Sequence, residues 1–260
     1  RIAEEEISFL VGISHGSVHA IVTKHLLYRK ICAQWVQRQL MEEQNTQRMA
    51  VSLGHLQRYH EEEYAFLSLI ATGDETWCHY FEPESKRQSQ QWKHVNSPPP
   101  KKSKALHTSS DKVMMTFFFD CKGPLLVEFL EHGATISAQR CDDTLRAIKS
   151  KRPGMLSNGI VLLHDNARSH TANSVRNTLQ RSGWEVLQHP PYSPDLSPCD
   201  FHIFEDLKRG IRGHRFASDE DVCNWVKTWF RRQPTSFFKD GIDRLISQWD
   251  KCINSFGDYF

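Results

Sequence analysis

The 260 residues carry 33 Lys and Arg against 31 Asp and Glu, a formal net charge of +2, so global charge does not announce a nucleic-acid binder and any DNA affinity must come from local patches. That length suits one sizeable domain plus a small appendage, and no apolar run approaches the ~20 residues of a membrane span. Seven scattered cysteines without a Cys-x-x-Cys pair argue for a reducing compartment and against a disulfide framework or zinc finger.

The first residue is Arg1 rather than Met, from which a fragment or incomplete gene product is expected. The first 26 residues or so fit a helix-turn-helix, with an ordinary helical hairpin as the alternative. With Gly12 at the turn, Ile7, Val11, Ile13, Val18 and Ile21 fall where two crossed helices bury apolar faces, and Ser8 is small at the crossing. The second helix, over about 15–24, would offer Ser14, His15, Ser17 and His19 to a major groove. His15 and His19 have no cysteine pair nearby, so no zinc site is read there.

Residues 28–40 contain Trp35 and read as a linker or a helix entry. A largely helical stretch over 41–70 follows, with Met49, Leu53 and Leu56 at helical spacing. Strands are predicted at 77–81, 113–120, 125–130, 160–164 and 184–188, and helices at 137–150 and 170–181. The run Val113-Met114-Met115-Thr116-Phe117-Phe118-Phe119 is apolar enough for a central strand covered on both faces, and Lys122-Gly123-Pro124 makes a hairpin turn. Between the first two strands, Pro98, Pro99 and Pro100 favour an extended arm, and Lys101, Lys102 and Lys104 favour phosphate contact. Two carboxy-terminal helices show apolar stripes, Val222-Trp225-Val226-Trp229-Phe230 after a Ser218 cap, and Ile242-Leu245-Ile246-Trp249-Ile253. The tryptophans read as core. The expected division is 1–27 for the partial helix-turn-helix, 28–65 for linker and connecting helix, and 66–260 for a catalytic domain.

Three aspartates carry the chemistry: Asp74 in Thr72-Gly73-Asp74-Glu75-Thr76-Trp77, Asp165 in His164-Asp165-Asn166, and Asp200 in Ser197-Pro198-Cys199-Asp200. The last two are separated by 34 residues (165 to 200, exclusive). Asp74 and Asp165 sit at the edges of apolar, strand-like runs that can aim carboxylates at a shared point. Hard oxygen ligands from separate elements suit Mg²⁺ or Mn²⁺, and a pair of such ions activates water and stabilises a leaving oxygen in phosphodiester cleavage. Converging carboxylates raise one another's pKa, so the three are fully ionised together only with cations present. The pattern reads as a nuclease or polynucleotidyl transferase.

The strings Thr-Gly-Asp-Glu-Thr-Trp (72–77), His-Asp-Asn-Ala-Arg-Ser-His (164–170) and Tyr-Ser-Pro-Asp-Leu-Ser-Pro-Cys-Asp-Phe-His-Ile-Phe (192–204) resemble mariner-type DNA transposases of the Tc1/mariner superfamily. The resemblance runs from Ser14-His15-Gly16-Ser17-Val18-His19 to Gly257-Asp258-Tyr259. It implies an α/β ribonuclease-H-like core, a mixed sheet flanked by helices, behind an incomplete amino-terminal helix-turn-helix. It also implies two Mg²⁺ (or Mn²⁺) ions on Asp74, Asp165 and Asp200, and DNA as partner through transposon inverted repeats and a TA target. A homodimer and a nuclear location follow from the same resemblance. The linker at 28–40 would clasp the second subunit, but Gln37 and Arg38 stand where the family usually has Pro and His, which removes a fixed φ. Glu75, His164, Asn166, Arg168 and His202 flank the triad and fit roles in holding its ligands or positioning phosphate. Two rival readings are a decayed or domesticated copy acting only as a DNA-binding or dimerising module, and a general metal nuclease. A chain with this triad and a partial recognition unit is expected to nick DNA with Mn²⁺ without selecting transposon ends.

Overall fold

The computed structural model describes residues 3–29, 36, 38–84, 112–151 and 159–260. The proline-lysine arm with Lys101, Lys102 and Lys104, and most of the 30–37 linker, lie outside the described residues. The chain divides into two compact units, Arg1–Gln39 and Leu40–Phe260.

In the first unit α1 (Glu4–Val11) ends at Gly12, whose φ of 68 supplies the left-handed turn, and α2 (His15–Ala20) follows. Three glutamates open α1, where negative charge complements the helix dipole. The expected second helix stops early as regular α-structure and continues as a wider turn over Ile21–His25. Of the apolar residues assigned to the crossing, Val18 is buried, whereas Val11 and Ile21 are exposed. Ser8 does serve the turn, donating from Oγ to the Ile13 carbonyl at 2.6 Å.

In the second unit the helical stretch resolves into α3 (Glu42–Glu62) and α4 (Tyr64–Leu69). Leu53, expected on the packed face of α3, is exposed, and Arg48, Val51 and Ser52 are buried instead. Then come β1 (Ile70–His79), β2 (Lys112–Asp120), β3 (Gly123–Phe129), α5 (Ala138–Lys151), β4 (Val161–Leu163), α6 (Asn173–Ser182) and β5 (Glu185–Val186). Helices α7 (Glu205–Ile211), α8 (Asp219–Arg232) and α9 (Thr235–Asn254) complete the unit. The first strand begins earlier than its apolar signal at 77–81, because residues 70–72 pair with β4 and 71–79 with β2, and Ile70 and Ala71 are buried.

The sheet order is β3-β2-β1-β4-β5, with β1, β2 and β3 antiparallel and β1, β4 and β5 parallel. Side chains alternate across a strand, so the apolar run of β2 feeds two cores. Met115, Phe117 and Phe119 enter the larger core with Phe230 and Phe238, while Phe118 enters the smaller with Leu145, Val175 and Leu179. Strand β4 repeats the device, sending Val161 and Leu163 to one core and Leu162 to the other. Phe117 and Phe230 stack at 4.2 Å between ring centroids. Each large side chain buried this way contributes about 1.5–3 kcal/mol. In α8 and α9 Val222, Val226, Phe230, Ile242, Leu245 and Trp249 are buried as their stripes foretold, with Ser218 Oγ accepting from the Asp221 amide at 3.2 Å.

Gly73 pairs with Phe118 across β1 and β2, and an added Cβ would stand 2.1 Å from the Phe118 ring. The glycine therefore makes room for the ring directly beside Asp74. Gly73→Ala is expected to destabilise by about 3 kcal/mol or more through overpacking. Urea unfolding checks this; a midpoint equal to wild type would contradict it.

Candidate active site

Three parts of the fold carry the three aspartates to within electrostatic reach of one another. Asp74 lies within β1, one residue past Gly73, rather than at the strand's start. Asp165 lies two residues past the end of β4, which runs parallel to β1. Asp200 lies in a wide helical turn, Cys199–Phe204, that leads into α7. Cys199, Ile203 and Phe204 are buried in the larger core, which anchors that turn.

Asp74 and Asp200 are close enough to share a hydrogen bond, and each also feels the charge of Asp165. Burial, then the neighbouring Asp200 carboxylate, pushes Asp74 up to about 8, although the Glu75 amide donates to its Oδ1 at 2.7 Å. Asp200 is raised too, chiefly by burial. Asp165 goes the other way: burial opposes its charge, but donation from His170 and from the Ala167 amide outweighs it and lowers its pKa. Two raised carboxyls beside a third form a site short of positive charge. Its donors are all hard oxygens, which fits Mg²⁺ or Mn²⁺.

The flanking residues do different work. His164 Nδ1 donates to the Asp165 carbonyl at 2.6 Å, and Asn166 Nδ2 to the His189 carbonyl at 2.6 Å, fixing the strand end. His202 is buried away from the triad; its Nε2 donates to the Phe237 carbonyl at 2.7 Å, so it pins α9. Arg168 is exposed.

Two further residues carry weight that the sequence did not signal. His170 is buried between Asp165 and Glu75. Arg48, fully buried on α3, donates to Asp195 through both terminal nitrogens, to Ser193 Oγ at 2.7 Å and to the Gly257 carbonyl at 2.7 Å. Burial opposes its charge, yet the Asp195 hydrogen bond holds its pKa above the ordinary value. Arg48 thus ties α3 and the carboxy-terminal tail to the loop that leads to Asp200. His170 closes the 164–170 motif and could have been suspected from it, whereas nothing near Arg48 in sequence reveals its partner.

In the first unit, Ser14 Oγ accepts from the Ser17 amide at 3.1 Å and caps α2. His19 Nδ1 and His15 Nε2 lie 3.1 and 3.5 Å from Glu4 Oε2. Ser14, His15, Ser17 and His19 are all exposed.

Residues 81–223, a span holding Asp165 and Asp200, match the DDE superfamily endonuclease family. The chain is 36% identical over 251 residues to the histone-lysine N-methyltransferase SETMAR of Homo sapiens, covering 93% of this chain and 36% of that protein. It is 36% identical over 232 residues to the Mariner Mos1 transposase of Drosophila mauritiana, covering 86% of this chain and 65% of that protein. Its structure matches the Mos1 mariner paired end complex with Mn at a TM-score of 0.86 and 32% identity, over 100% of this chain and 76% of that one.

This chain belongs to the mariner transposases. Its mixed, helix-flanked sheet is the ribonuclease-H-like fold of that family, matching the catalytic domain of Mos1 transposase at a TM-score of 0.71. Mos1 paired end complexes are solved with Mn and with Mg, so divalent metal use goes with the family. The chain spans 36% and 65% of the lengths of the two relatives named. No helix among the described residues is long and apolar enough to cross a membrane.

The electrostatics of this mariner-family site make a stability prediction. Asp74 titrates near 3.8 ordinarily and about 8 in the fold. A carboxyl raised in this sense contributes stability that is full below its unfolded pKa and lost as pH rises through the folded one. The metal-free chain should therefore lose stability from this group between pH ~4 and ~8, with Asp200 acting in the same direction. Asp74→Asn removes the penalty and is expected to unfold at higher urea than wild type at pH ~8, by roughly 2 kcal/mol, with little difference at pH ~4. The same difference at both pH values would contradict this.

Proposed function

We propose that this chain is the catalytic part of a cut-and-paste mariner transposase, with Asp74, Asp165 and Asp200 as its catalytic and metal-holding residues. The observation that carries this is that Asp74 and Asp200 are hydrogen-bond neighbours, both feel the charge of Asp165, and both are raised in pKa. The three side chains would hold two Mg²⁺ or Mn²⁺ ions. Bound there, such ions supply a lowered pKa for water or a DNA 3′-hydroxyl and stabilise the departing oxygen. The chain's own part is to aim the carboxylates from a rigid sheet and to keep the turn carrying Asp200 docked.

On this reading the reaction is hydrolysis at the transposon end, followed by joining of the freed 3′-hydroxyl to a TA target. The organisation proposed is a recognition unit over 1–27, a linker and connecting helix over 28–65, and the catalytic domain over 66–260. Ser14, His15, Ser17 and His19 would face the inverted repeat, and Lys101, Lys102 and Lys104 the phosphate backbone. Mos1 is solved as a paired-end complex, which supports a homodimer holding two DNA ends, and a DNA substrate supports a nuclear location.

The test is cleavage of a supercoiled plasmid carrying mariner ends, with Mn²⁺ or Mg²⁺, alongside footprinting on an end duplex. Metal-dependent nicking abolished by chelator supports the catalytic reading. A folded chain that protects DNA but never cuts it, with either metal, would establish the binding-module alternative instead.

A further inference from the structure

Asp165 is held unlike the other two carboxylates. Its Oδ1 accepts two donors, the Ala167 amide at 3.0 Å and His170 Nδ1 at 2.7 Å. Both donors come from the turn that wraps the strand end, where the His170 amide itself closes onto the Ala167 carbonyl at 2.9 Å. With Oδ1 taken, Oδ2 is the oxygen left to bind a cation. The other edge of the same ring, Nε2, lies 3.5 Å from Glu75 Oε1. Glu75 follows Asp74 on β1, so one side chain links β1 to the turn that carries Asp165. The ring is 7% exposed, so packing fixes its plane.

We propose that His170 is a positioning residue for metal binding: it clamps Oδ1 of Asp165 and bridges to Glu75, presenting Oδ2 as the ligand oxygen at a set distance from Asp74. This rests on the reading of the three aspartates as the cation site. Ligand atoms of His164, Asp165 and His170 lie within 4.8 Å of one another, a grouping that could itself suggest histidine ligation. For His170 the hydrogen bonds argue otherwise. His164 Nδ1 is committed to the Asp165 carbonyl, His170 Nδ1 to Oδ1, and His170 Nε2 faces a carboxylate rather than open space. A ring held on both edges has no nitrogen to give a metal. Partners that orient ligating carboxylates change metal affinity by about 10–100-fold when removed.

Three variants of the full chain separate the roles. In His170→Asn the side-chain amide nitrogen stands near the Nδ1 position and can still donate to Asp165. In His170→Gln it stands near the Nε2 position and can serve only Glu75. His170→Ala serves neither. Mn²⁺ affinity is measured by calorimetry, and thermal unfolding is measured without metal. We expect Ala and Gln to weaken Mn²⁺ about 10–100-fold and Asn to recover most of that loss, independently of the unfolding temperatures. If Ala does not fold, the Asn and Gln pair carries the comparison. The proposal is overturned if Asn binds Mn²⁺ as weakly as Gln, or if all folded variants bind it like wild type. Should wild type itself bind no Mn²⁺, with Asp74→Asn making no difference, the cation-site reading fails and this proposal with it.

Discussion

Replacing Asp74, Asp165 or Asp200 singly by Asn should lower metal-dependent DNA cleavage by roughly 10⁴-fold or more while the chain stays folded. Asn keeps the size of the side chain and removes the charge, so the loss reports on chemistry rather than packing. The three carboxylates come from β1, from just past β4 and from the turn before α7, so each is placed by a different part of the fold. Groups acting as a unit are not additive, so a double substitution should cost little more than a single one. Single-turnover cleavage of a plasmid, with circular dichroism to verify the fold, checks this. A variant that keeps a tenth of wild-type activity would remove that aspartate from the proposed site.

Arg48→Ala is expected to destabilise the chain by about 3–5 kcal/mol, the cost of leaving a buried partner's charge uncompensated. Arg48 is fully buried and Asp195 is 13% exposed, so water cannot take over the lost hydrogen bonds. The Gly257 carbonyl and Ser193 hydroxyl lose their donor as well. Gly257 itself lies so close to α3 that a Cβ would stand 2.1 Å from the Asn45 carbonyl oxygen, which shows how tightly the tail is seated. The double variant Arg48→Ala with Asp195→Asn should recover part of the loss, because the orphaned charge is gone. Urea midpoints of the four proteins measure the coupling. Strictly additive effects would mean the pair does not act as an ion pair.

The sheet was legible wherever burial on both faces wrote an apolar run, as in Val113–Phe119 and Ile160–Leu163. The stripes of α8 and α9 were equally plain, since each packs one face on a single core. Strand β1 begins before its apolar signal because Thr72-Gly73-Asp74-Glu75-Thr76 is polar and reads like a turn; pairing on both sides overrides that composition. On α3 periodicity chose Leu53, but the helix instead turns a buried arginine to a partner 147 residues away. Local pattern cannot anticipate an ion pair of that separation. At the site, the motifs carry the three aspartates; the sheet places the first two and the core-anchored turn before α7 places Asp200. The clamp on Asp165 was hidden for a different reason: it depends on how the turn 167–170 closes back on a strand end, a matter of backbone geometry rather than residue type.

Anomalous diffraction from Mn²⁺-soaked crystals of this chain tests most directly whether Asp74, Asp165 and Asp200 together hold divalent cations. Two peaks are expected roughly 4 Å apart, bounded by oxygens of the three carboxylates, with Oδ2 of Asp165 among the ligands. A peak coordinated by the nitrogens of His164 or His170, or crystals that take up no Mn²⁺ at the three aspartates, would contradict it.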